Sequence, residues 1–292
     1  MPLVDSLFPL VKARSLMAGV RLGVFEALGE GPLDAVTLAE RLRLDGESLE
    51  LLLRVLAASE YLTVRKGRFG LTAMARKTLL PGAAMDSRGY VEFNYTQWEF
   101  LERLEDLLRS GRGLDFHRTM RDARAWESYQ RGMLELAGLH ASLLAKKIPV
   151  PQGARILLDI AGSHGLLGAA VCRRHPPLKS IVVDLPEALE SARGLAKEAG
   201  ISGLVEHREG DILAGNFGGA TSCDVALLAN ILHHFTPERN QAILNRVHGL
   251  LTARGTVAIW EIERPGEGKP PEFGRDASAL YFRLTSTSRC FS

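Results

Sequence analysis

The chain has 292 residues, with 36 basic and 34 acidic side chains and a formal net charge of +2. Because the basic residues are scattered, the sequence excludes the concentrated positive stripe of a nucleic-acid-binding protein. No apolar run reaches the roughly 20 residues that cross a bilayer, and the N-terminus lacks the basic-then-apolar order of a signal peptide. We therefore expect a cytoplasmic protein without a membrane or nucleic-acid partner.

The three cysteines, Cys172, Cys223 and Cys290, stand far apart in the sequence. They show neither metal-ligand spacing nor the pattern of a disulfide framework. We expect small buried side chains at these positions, and we expect no metal site.

The N-terminal part has the pattern of a winged-helix module. Apolar spacing predicts helices over 11–29, 37–42 and 47–58, followed by a hairpin over 61–64 and 68–72 with a glycine in its turn. Many such modules bind DNA with one helix in the major groove. The candidate helix, SLELLLRVLAASE, offers one Arg and no Asn or Gln to bind base edges. A dimerisation or substrate-lid role is therefore favoured.

An aromatic-rich helical region follows, over 83–148. Its rings either pack between two domains or line an apolar pocket that accepts a ring. The candidates for contact with a substrate are Trp98, Trp126 and Met133 from this region and Asn230 from further along the chain. Prolines and a glycine at 149–153 mark the hinge into the next domain. The predicted domains are thus 1–82, 83–148 and 149–292.

Beyond the hinge, short apolar strands alternate with helices. Strands are predicted at 156–160, 180–185, 205–209, 225–230 and 256–261, with helices that include 186–199 and 237–251. This alternation is typical of a doubly wound parallel sheet, in which ligands bind beyond the carboxyl ends of the strands. The fold class is therefore α/β, with a helical domain in front of it.

The stretch RILLDIAGSHGLLG, residues 155–168, begins this domain. A buried strand ends at Asp159, and the glycines that follow permit a sharp turn and a close approach to a ligand. Asp184, about 20 residues on, stands where a carboxylate accepts ribose hydroxyls, as it also would in an NAD enzyme. The charge of Asp159 would repel a pyrophosphate. A cationic ligand without phosphates, such as S-adenosylmethionine, fits better.

Several motifs share their order and spacing with one known family. LLDIAGSHG is similar to the signature DxGGGxG, VVDLPEAL to DLP, GDIL to GD, ANILHHF to LHDW, and TVAIWEIERP to a fifth strand with a glutamate. The chain resembles the two-domain class I S-adenosylmethionine-dependent O-methyltransferases of the plant caffeic-acid and acetylserotonin type and their bacterial natural-product relatives. The segment GVFEALGEGPLDAVTLAERL resembles the winged-helix dimerisation domain of that family.

The resemblance implies a Rossmann-like methyltransferase domain, a homodimer formed through the N-terminal domain, and methyl transfer from S-adenosylmethionine to a hydroxyl of a small aromatic or polyketide-like substrate. The implied roles follow the motifs. The methionine end of the cofactor would be bound by Asp159, Gly162 and Gly165, the ribose by Asp184 beside Leu185, and the adenine by Asp211 and Ile212.

The resemblance also implies that His233 is the catalytic base and that Glu261 orients it. A histidine whose pKa is near 6.5 can take a phenolic proton as the oxygen attacks. His234 replaces an acid or another polar residue of the family, and we expect it to be structural.

The sequence departs from the family in two places. Ala161 and Ser163 replace glycines of the signature, and ALYFRLTSTSRCFS resembles the segment that precedes the last helix and strands of the family. We expect the chain to lack that final part, which usually supplies a second carboxylate near the base. Two alternatives therefore stay open: use of the cofactor for hydroxylation or decarboxylation, and an inactive dimeric scaffold. The acceptor atom, whether oxygen, nitrogen or carbon, also stays open.

Overall fold

A computed structural model describes residues 1–120, 123–263, 266, 268–288 and 290. The last residues of the ALYFRLTSTSRCFS segment, Arg289, Phe291 and Ser292, lie outside this description. Contacts between Cα atoms divide the chain into two compact units, Met1–Thr96 and Gln97–Ser292. No helix among the described residues is long and apolar enough to span a membrane.

The first unit is a small helical domain with a wing. Its elements are α1 (Pro2–Arg21), α2 (Val24–Gly29), β1 (Leu33–Asp34), α3 (Ala35–Leu42), α4 (Gly46–Ala58), β2 (Leu62–Arg65), β3 (Arg68–Leu71) and α5 (Ala73–Thr78). The strands pair antiparallel in the order β1-β3-β2, so that a short third strand joins the predicted hairpin. Asp34 and Asp45 cap α3 and α4, because each side chain accepts a backbone N–H in the first turn of its helix.

The single helix predicted over 11–29 is wrong. The chain forms α1 and α2 instead, because Gly23 adopts a left-handed conformation with φ of +74° between them. The C-terminal half of α1 is buried, whereas the first half exposes its apolar side chains.

After α6 (Arg88–Leu101), the second unit alternates helices and strands. Its elements are α7 (Leu104–Ser110), α8 (Phe116–Thr119), α9 (Ala123–Lys147), β4 (Ile156–Ile160), α10 (Leu166–Arg174), β5 (Lys179–Asp184), α11 (Pro186–Glu198), β6 (Val205–Glu209), β7 (Cys223–Ala229), a 3₁₀ turn (Leu232–His234), α12 (Pro237–Leu250), β8 (Leu251–Trp260) and α13 (Phe273–Thr285).

The described strands of this unit form a parallel sheet in the order β6-β5-β4-β7-β8. The predicted doubly wound α/β fold is confirmed. The chain leaves β4 toward one side, through β5 and β6, and returns to β7 on the other side. The topological switch point therefore lies at the carboxyl ends of β4 and β7, where ligands bind in such folds.

Helix α9 packs against the helices of this sheet. The side chain of Gln130 donates from Nε2 to the carbonyl oxygen of Ala188 at 3.0 Å, and Leu144 and Ile148 pack with Val171 in one apolar cluster. Residues 97–148 thus group with the sheet, and residues 83–96 group with the first unit. The substrate-binding role of 83–148 stays a prediction.

Candidate active site

The glycines of the turn after β4 are required by packing. A Cβ atom on Gly162 would lie 2.4 Å from Cγ of Asp159, and one on Gly165 would lie 2.8 Å from Cγ2 of Val182. Gly165 also has φ of +77°, which lies in the left-handed region that residues with a Cβ atom disfavour. Any larger residue at these positions would push the turn away from the ends of β4 and β5.

Two other positions of the turn have left-handed backbone without being glycine. Ala161 has φ of +54° and Ser163 has φ of +52°. These are the positions where the sequence carries Ala and Ser in place of family glycines. The turn therefore keeps the backbone shape that suits glycine, and the two side chains add strain.

Asp159 lies beneath this turn. Its side chain is buried, and Oδ2 accepts the N–H of Gly168 at 3.3 Å. Burial raises the pKa of this carboxyl group to about 7. The carboxylate supports the turn from the core side and does not line the cleft described next.

A cleft opens beyond the carboxyl ends of the strands. Five of the predicted residues line it, namely Trp126, Asp184, Leu185, Asp211 and Asn230. The other predicted residues, Trp98, Met133, Asp159, Gly162, Gly165, Ile212, His233 and Glu261, are not part of its lining. Ile212 instead belongs to a buried apolar cluster of the sheet.

Two carboxylates on the cleft wall are held by backbone N–H groups. Asp184 accepts the N–H of Ser163 at 2.9 Å and that of Leu185 at 2.8 Å, one on each oxygen. Burial raises the pKa of Asp184 to about 6. Oδ1 of Asp211 accepts the N–H groups of Leu213 and Ala214 at 2.8 and 3.3 Å. Both carboxylates keep lone pairs free to accept hydroxyl or amino hydrogens of a ligand.

The buried His233 pairs with the half-buried Glu261 behind the cleft. Nδ1 of His233 lies 2.7 Å from Oε2 of Glu261, while Oε1 of Glu261 accepts the N–H groups of Ile231 and Leu232 at 2.7 and 2.6 Å. His233 is 1% exposed, and its Nε2 has no hydrogen-bond partner among the described residues. Leaving a buried polar atom without a hydrogen bond costs free energy. A ligand that forms a hydrogen bond to this nitrogen would remove that cost.

His234 faces the cleft, which the sequence did not indicate. Its Nδ1 lies 2.9 Å from the hydroxyl of Ser286, and its ring centroid is 4.1 Å from that of His233. Burial lowers the pKa of His234 well below its usual value, and the neighbouring His233 and His117 add to this effect. His234 is therefore a neutral, polar group at neutral pH on the wall in front of His233.

His117 is a further cleft residue that sequence reasoning missed. Its ring stacks on Trp126 with centroids 6.0 Å apart and contacts His234 edge-on at 4.6 Å. Burial lowers the pKa of His117 to about 4. With Tyr129, these rings form an uncharged aromatic wall suited to an aromatic ligand.

The chain matches the models of two known protein domains. Residues 100–274 match the O-methyltransferase domain model, and residues 4–81 match the O-methyltransferase dimerisation domain model. The chain belongs to the O-methyltransferase family. It is 32% identical over 266 residues to the 3-hydroxy-5-methyl-1-naphthoate 3-O-methyltransferase of Streptomyces sahachiroi, covering 89% of this chain and 76% of that one.

Solved structures support the fold of this O-methyltransferase. An O-methyltransferase family protein from Burkholderia thailandensis matches with a TM-score of 0.80 at 27% identity, covering 95% of this chain and 85% of that one. Human N-acetylserotonin methyltransferase, solved in complex with S-adenosylmethionine, matches with a TM-score of 0.85 at 19% identity, covering 98% and 85%. This second likeness concerns the fold alone.

The enzyme is an S-adenosylmethionine-dependent O-methyltransferase, and its cleft fits that cofactor. The turn after β4 reaches the cleft through Ala161 and Ser163, which line it. Asp184 and Asp211 line the cleft and keep lone pairs that can accept hydrogen bonds from hydroxyl and amino groups. S-Adenosylmethionine carries such groups, and its positive charge is compatible with nearby carboxylates. No cluster of three or more His, Cys, Asp or Glu side chains with metal-binding geometry occurs in the described part of the chain.

Proposed function

We propose that this O-methyltransferase methylates a hydroxyl group of a small aromatic or polyketide-like acceptor, with His233 as the general base. One observation carries the proposal. His233 is buried with Nδ1 on Glu261, and its Nε2 is left without a partner among the described residues. A hydroxyl group of the acceptor would supply the missing hydrogen bond and donate its proton along it, which requires the rings of His234 and Phe282, packed on His233 at 4.1 and 4.2 Å, to move aside.

In this proposal His233 takes the proton of the acceptor and Glu261 orients His233. Bound S-adenosylmethionine supplies a methyl group made electrophilic by the sulfonium. A phenol with a pKa near 10 is protonated at neutral pH, so Nε2 of His233 takes the proton as the oxygen becomes a nucleophile. Nδ1–H of His233 donates to Glu261, which fixes the tautomer and stabilises the imidazolium. Two backbone N–H groups hold the Glu261 carboxylate in place.

We assign the cofactor to the part of the cleft lined by Asp184, Leu185 and Asp211. In this proposal, Asp184 accepts the ribose hydroxyls and Asp211 lies beside the adenine, with Ile212 packed behind it. The methionine end lies against the turn, whose Ala161 and Ser163 line the cleft, with Gly162, Gly165 and the Asp159 carboxylate beneath. The lone pairs of Asp184 and Asp211 and the lining of the cleft support these assignments.

We assign the acceptor to the wall formed by His117, Trp126, Asn230 and His234. The stacked rings of His117 and Trp126 suit a planar acceptor, and the naphthoate acted on by the Streptomyces sahachiroi relative is such a molecule. Trp98 and Met133 do not line the described cleft, so we propose no direct contact for them.

The decisive experiment replaces His233 with alanine. We expect methyl transfer to a panel of hydroxylated naphthalenes and phenols to fall by about 100-fold or more, because general base catalysis typically contributes 10²–10⁴-fold. Binding of S-adenosylmethionine, measured by calorimetry without acceptor, should persist. His248→Ala, at an exposed position of α12, is the matched control and should retain full activity.

Retained turnover in the His233→Ala variant would exclude His233 as the base. Tight cofactor binding by the native enzyme without any methylated product would instead favour another use of the cofactor. Amine-bearing and carbon-nucleophile acceptors in the same panel test whether the acceptor atom is oxygen.

We also propose that the enzyme is a homodimer formed through the N-terminal domain. The first half of α1 exposes Val4, Leu7, Phe8 and Val11, which follow the i, i+3, i+4, i+7 spacing of one helix face. Contiguous apolar surface of this kind marks a protein–protein interface. The match of residues 4–81 to a dimerisation domain supports the same role.

We infer a cytoplasmic location from the cysteines. Cys172, Cys223 and Cys290 are all free and buried. Free thiols persist in reducing compartments, whereas secreted proteins tend to pair them. Fractionation of cells that express the native chain tests this inference, and recovery from an oxidising compartment would contradict it.

A further inference from the structure

Ser163 occupies a strained position at the centre of the cofactor turn. Its φ of +52° is in the left-handed region, which residues with a Cβ adopt only when the surroundings impose it. The hydroxyl of Ser163 does not impose it, because Oγ is buried and has no hydrogen-bond partner among the described residues. Groups that bind the backbone of Ser163 can supply this restraint.

Two side chains bind that backbone from opposite ends of the residue. The N–H of Ser163 donates to Oδ2 of Asp184 at 2.9 Å, and its carbonyl oxygen lies 3.2 Å from Nε2 of His207. Since a carbonyl oxygen can only accept, the Nε2 of His207 carries the proton. Ser163 is therefore fixed between a cleft carboxylate and an imidazole of the sheet.

The sheet places His207 where it can reach the turn. His207 on β6 is in register with Val182 on β5, which is in register with Asp159 on β4. Side chains at paired positions of parallel strands point to the same face. Val182 on that face contacts the Gly165 position of the turn, so His207 lies one strand further along under the same turn. His207 is half-buried, and burial lowers its pKa.

We propose that His207 is a positioning residue of the cofactor site, which holds the carbonyl group of Ser163 and thereby keeps the Ser163 N–H directed at Asp184. The proposal rests on the proposed role of Asp184 in binding S-adenosylmethionine. If Ser163 relaxed to an ordinary conformation, its N–H would turn away from Oδ2 of Asp184. The carboxylate would then lose one of the two backbone bonds that fix it toward the cleft.

The test is a double-mutant cycle between His207→Phe and Ser163→Gly, read by calorimetric binding of S-adenosylmethionine without acceptor. Phenylalanine fills the ring volume of histidine but cannot donate. We expect His207→Phe to weaken binding about tenfold, which corresponds to about 1.4 kcal/mol. In the Ser163→Gly background the same change should cost less than about threefold, because glycine adopts a positive φ without strain.

A conservative variant separates the hydrogen bond from packing. His207→Gln keeps an N–H donor on a flexible side chain and should restore part of the lost affinity. His248→Phe introduces the same side chain at an exposed histidine of α12 and should leave binding unchanged. Thermal unfolding of each variant identifies any that fails to fold. Ser163→Gly with and without His207→Phe gives a second measurement of the effect of His207.

Equal losses of affinity in the native and Ser163→Gly backgrounds would overturn the proposal, because His207 would then act through packing of β6. Full affinity in the single His207→Phe variant would also overturn it. Binding of S-adenosylmethionine to an Asp184→Ala variant shows whether the proposal about His207 or the proposed cofactor site is wrong. If Asp184→Ala abolishes binding and His207→Phe does not, only the inference about His207 is wrong. If Asp184→Ala also binds normally, the proposed cofactor site itself is wrong.

Discussion

Replacing Asp159 with asparagine should make the protein more stable at alkaline pH. The substitution keeps the shape of the side chain and an oxygen that can accept the N–H of Gly168, but removes the ionised form. Burial raises the pKa of this carboxyl group from 3.8 to about 7. The folded state therefore binds the proton more tightly than the unfolded chain does. The stabilising effect of that proton is fully present below about pH 3.8 and is lost as the pH rises through about 7.

The magnitude follows from the shift. A difference of about 3 pKa units, at 1.36 kcal/mol each, means that ionised Asp159 costs about 4 kcal/mol at pH 8. At pH 5 the folded carboxyl group stays protonated, and the cost falls to roughly 1–2 kcal/mol. The stability gained by Asp159→Asn should thus be about 2–3 kcal/mol larger at pH 8 than at pH 5.

Urea unfolding of the native and Asp159→Asn proteins at both pH values measures this difference. Asp224→Asn is the control. Asp224 accepts the N–H groups of Arg155 and Ile156, which lower its pKa, so it is ionised at both pH values. Its replacement should destabilise the protein equally at pH 5 and pH 8. A stability change for Asp159→Asn that is the same at both pH values, or a loss at pH 8, would refute the reasoning.

The same variant should bind S-adenosylmethionine less well at pH 8. The negative charge of Asp159 lies directly beneath Gly162, where the proposal puts the zwitterionic methionine end. Stability and cofactor affinity should therefore change in opposite directions. Unchanged affinity, measured by calorimetry, would show that Asp159 serves only the packing of the turn.

Four further outcomes are expected. Ala161→Gly should stabilise the protein by up to about 1 kcal/mol in urea unfolding, because relief of a left-handed conformation worth about 1–2 kcal/mol exceeds the added chain entropy of about 0.5–1 kcal/mol. Gly165→Ala should destabilise it by about 2 kcal/mol or more in the same assay, since strain adds to a 2.8 Å contact with Val182. Glu261→Gln should lower kcat about 100-fold with little change in cofactor affinity by calorimetry, because His233 loses its carboxylate. Leu7→Glu should convert the proposed dimer to a monomer in light scattering, because the α1 stripe becomes charged; a dimer that persists would place the interface elsewhere.

The sequence predicted the sheet well because its strands are short and apolar. The bounds of β4 and β6 agree with the predicted ones. β8 is longer than predicted, since it begins at Leu251 rather than 256. The prediction missed its first residues because they are exposed and lack the apolar pattern of a buried strand. At Gly23 the helical spacing continues on both sides of the break, so apolar periodicity could not show it.

The site was less accessible to sequence reasoning, because motif order gives no side-chain direction. Asp159 stands before the glycines as expected, yet its carboxylate points under the turn rather than into the cleft. His234 was expected to be structural, and its position in the lining of the cleft was not predicted. His117 contacts His234 across more than 100 residues of sequence, a pairing that no local pattern reveals.

These three neighbouring histidines explain how one proton can be held at the proposed base. The rings of His117, His234 and His233 follow one another at 4.6 and 4.1 Å, so two positive charges among them would repel strongly. Burial keeps the pKa values of His117 and His234 low. Nδ1 of His233 is bonded to the carboxylate of Glu261. If His233 takes the proton of the acceptor, as we propose, Glu261 is the carboxylate that stabilises it there, and the neutral His117 and His234 add no positive charge beside it.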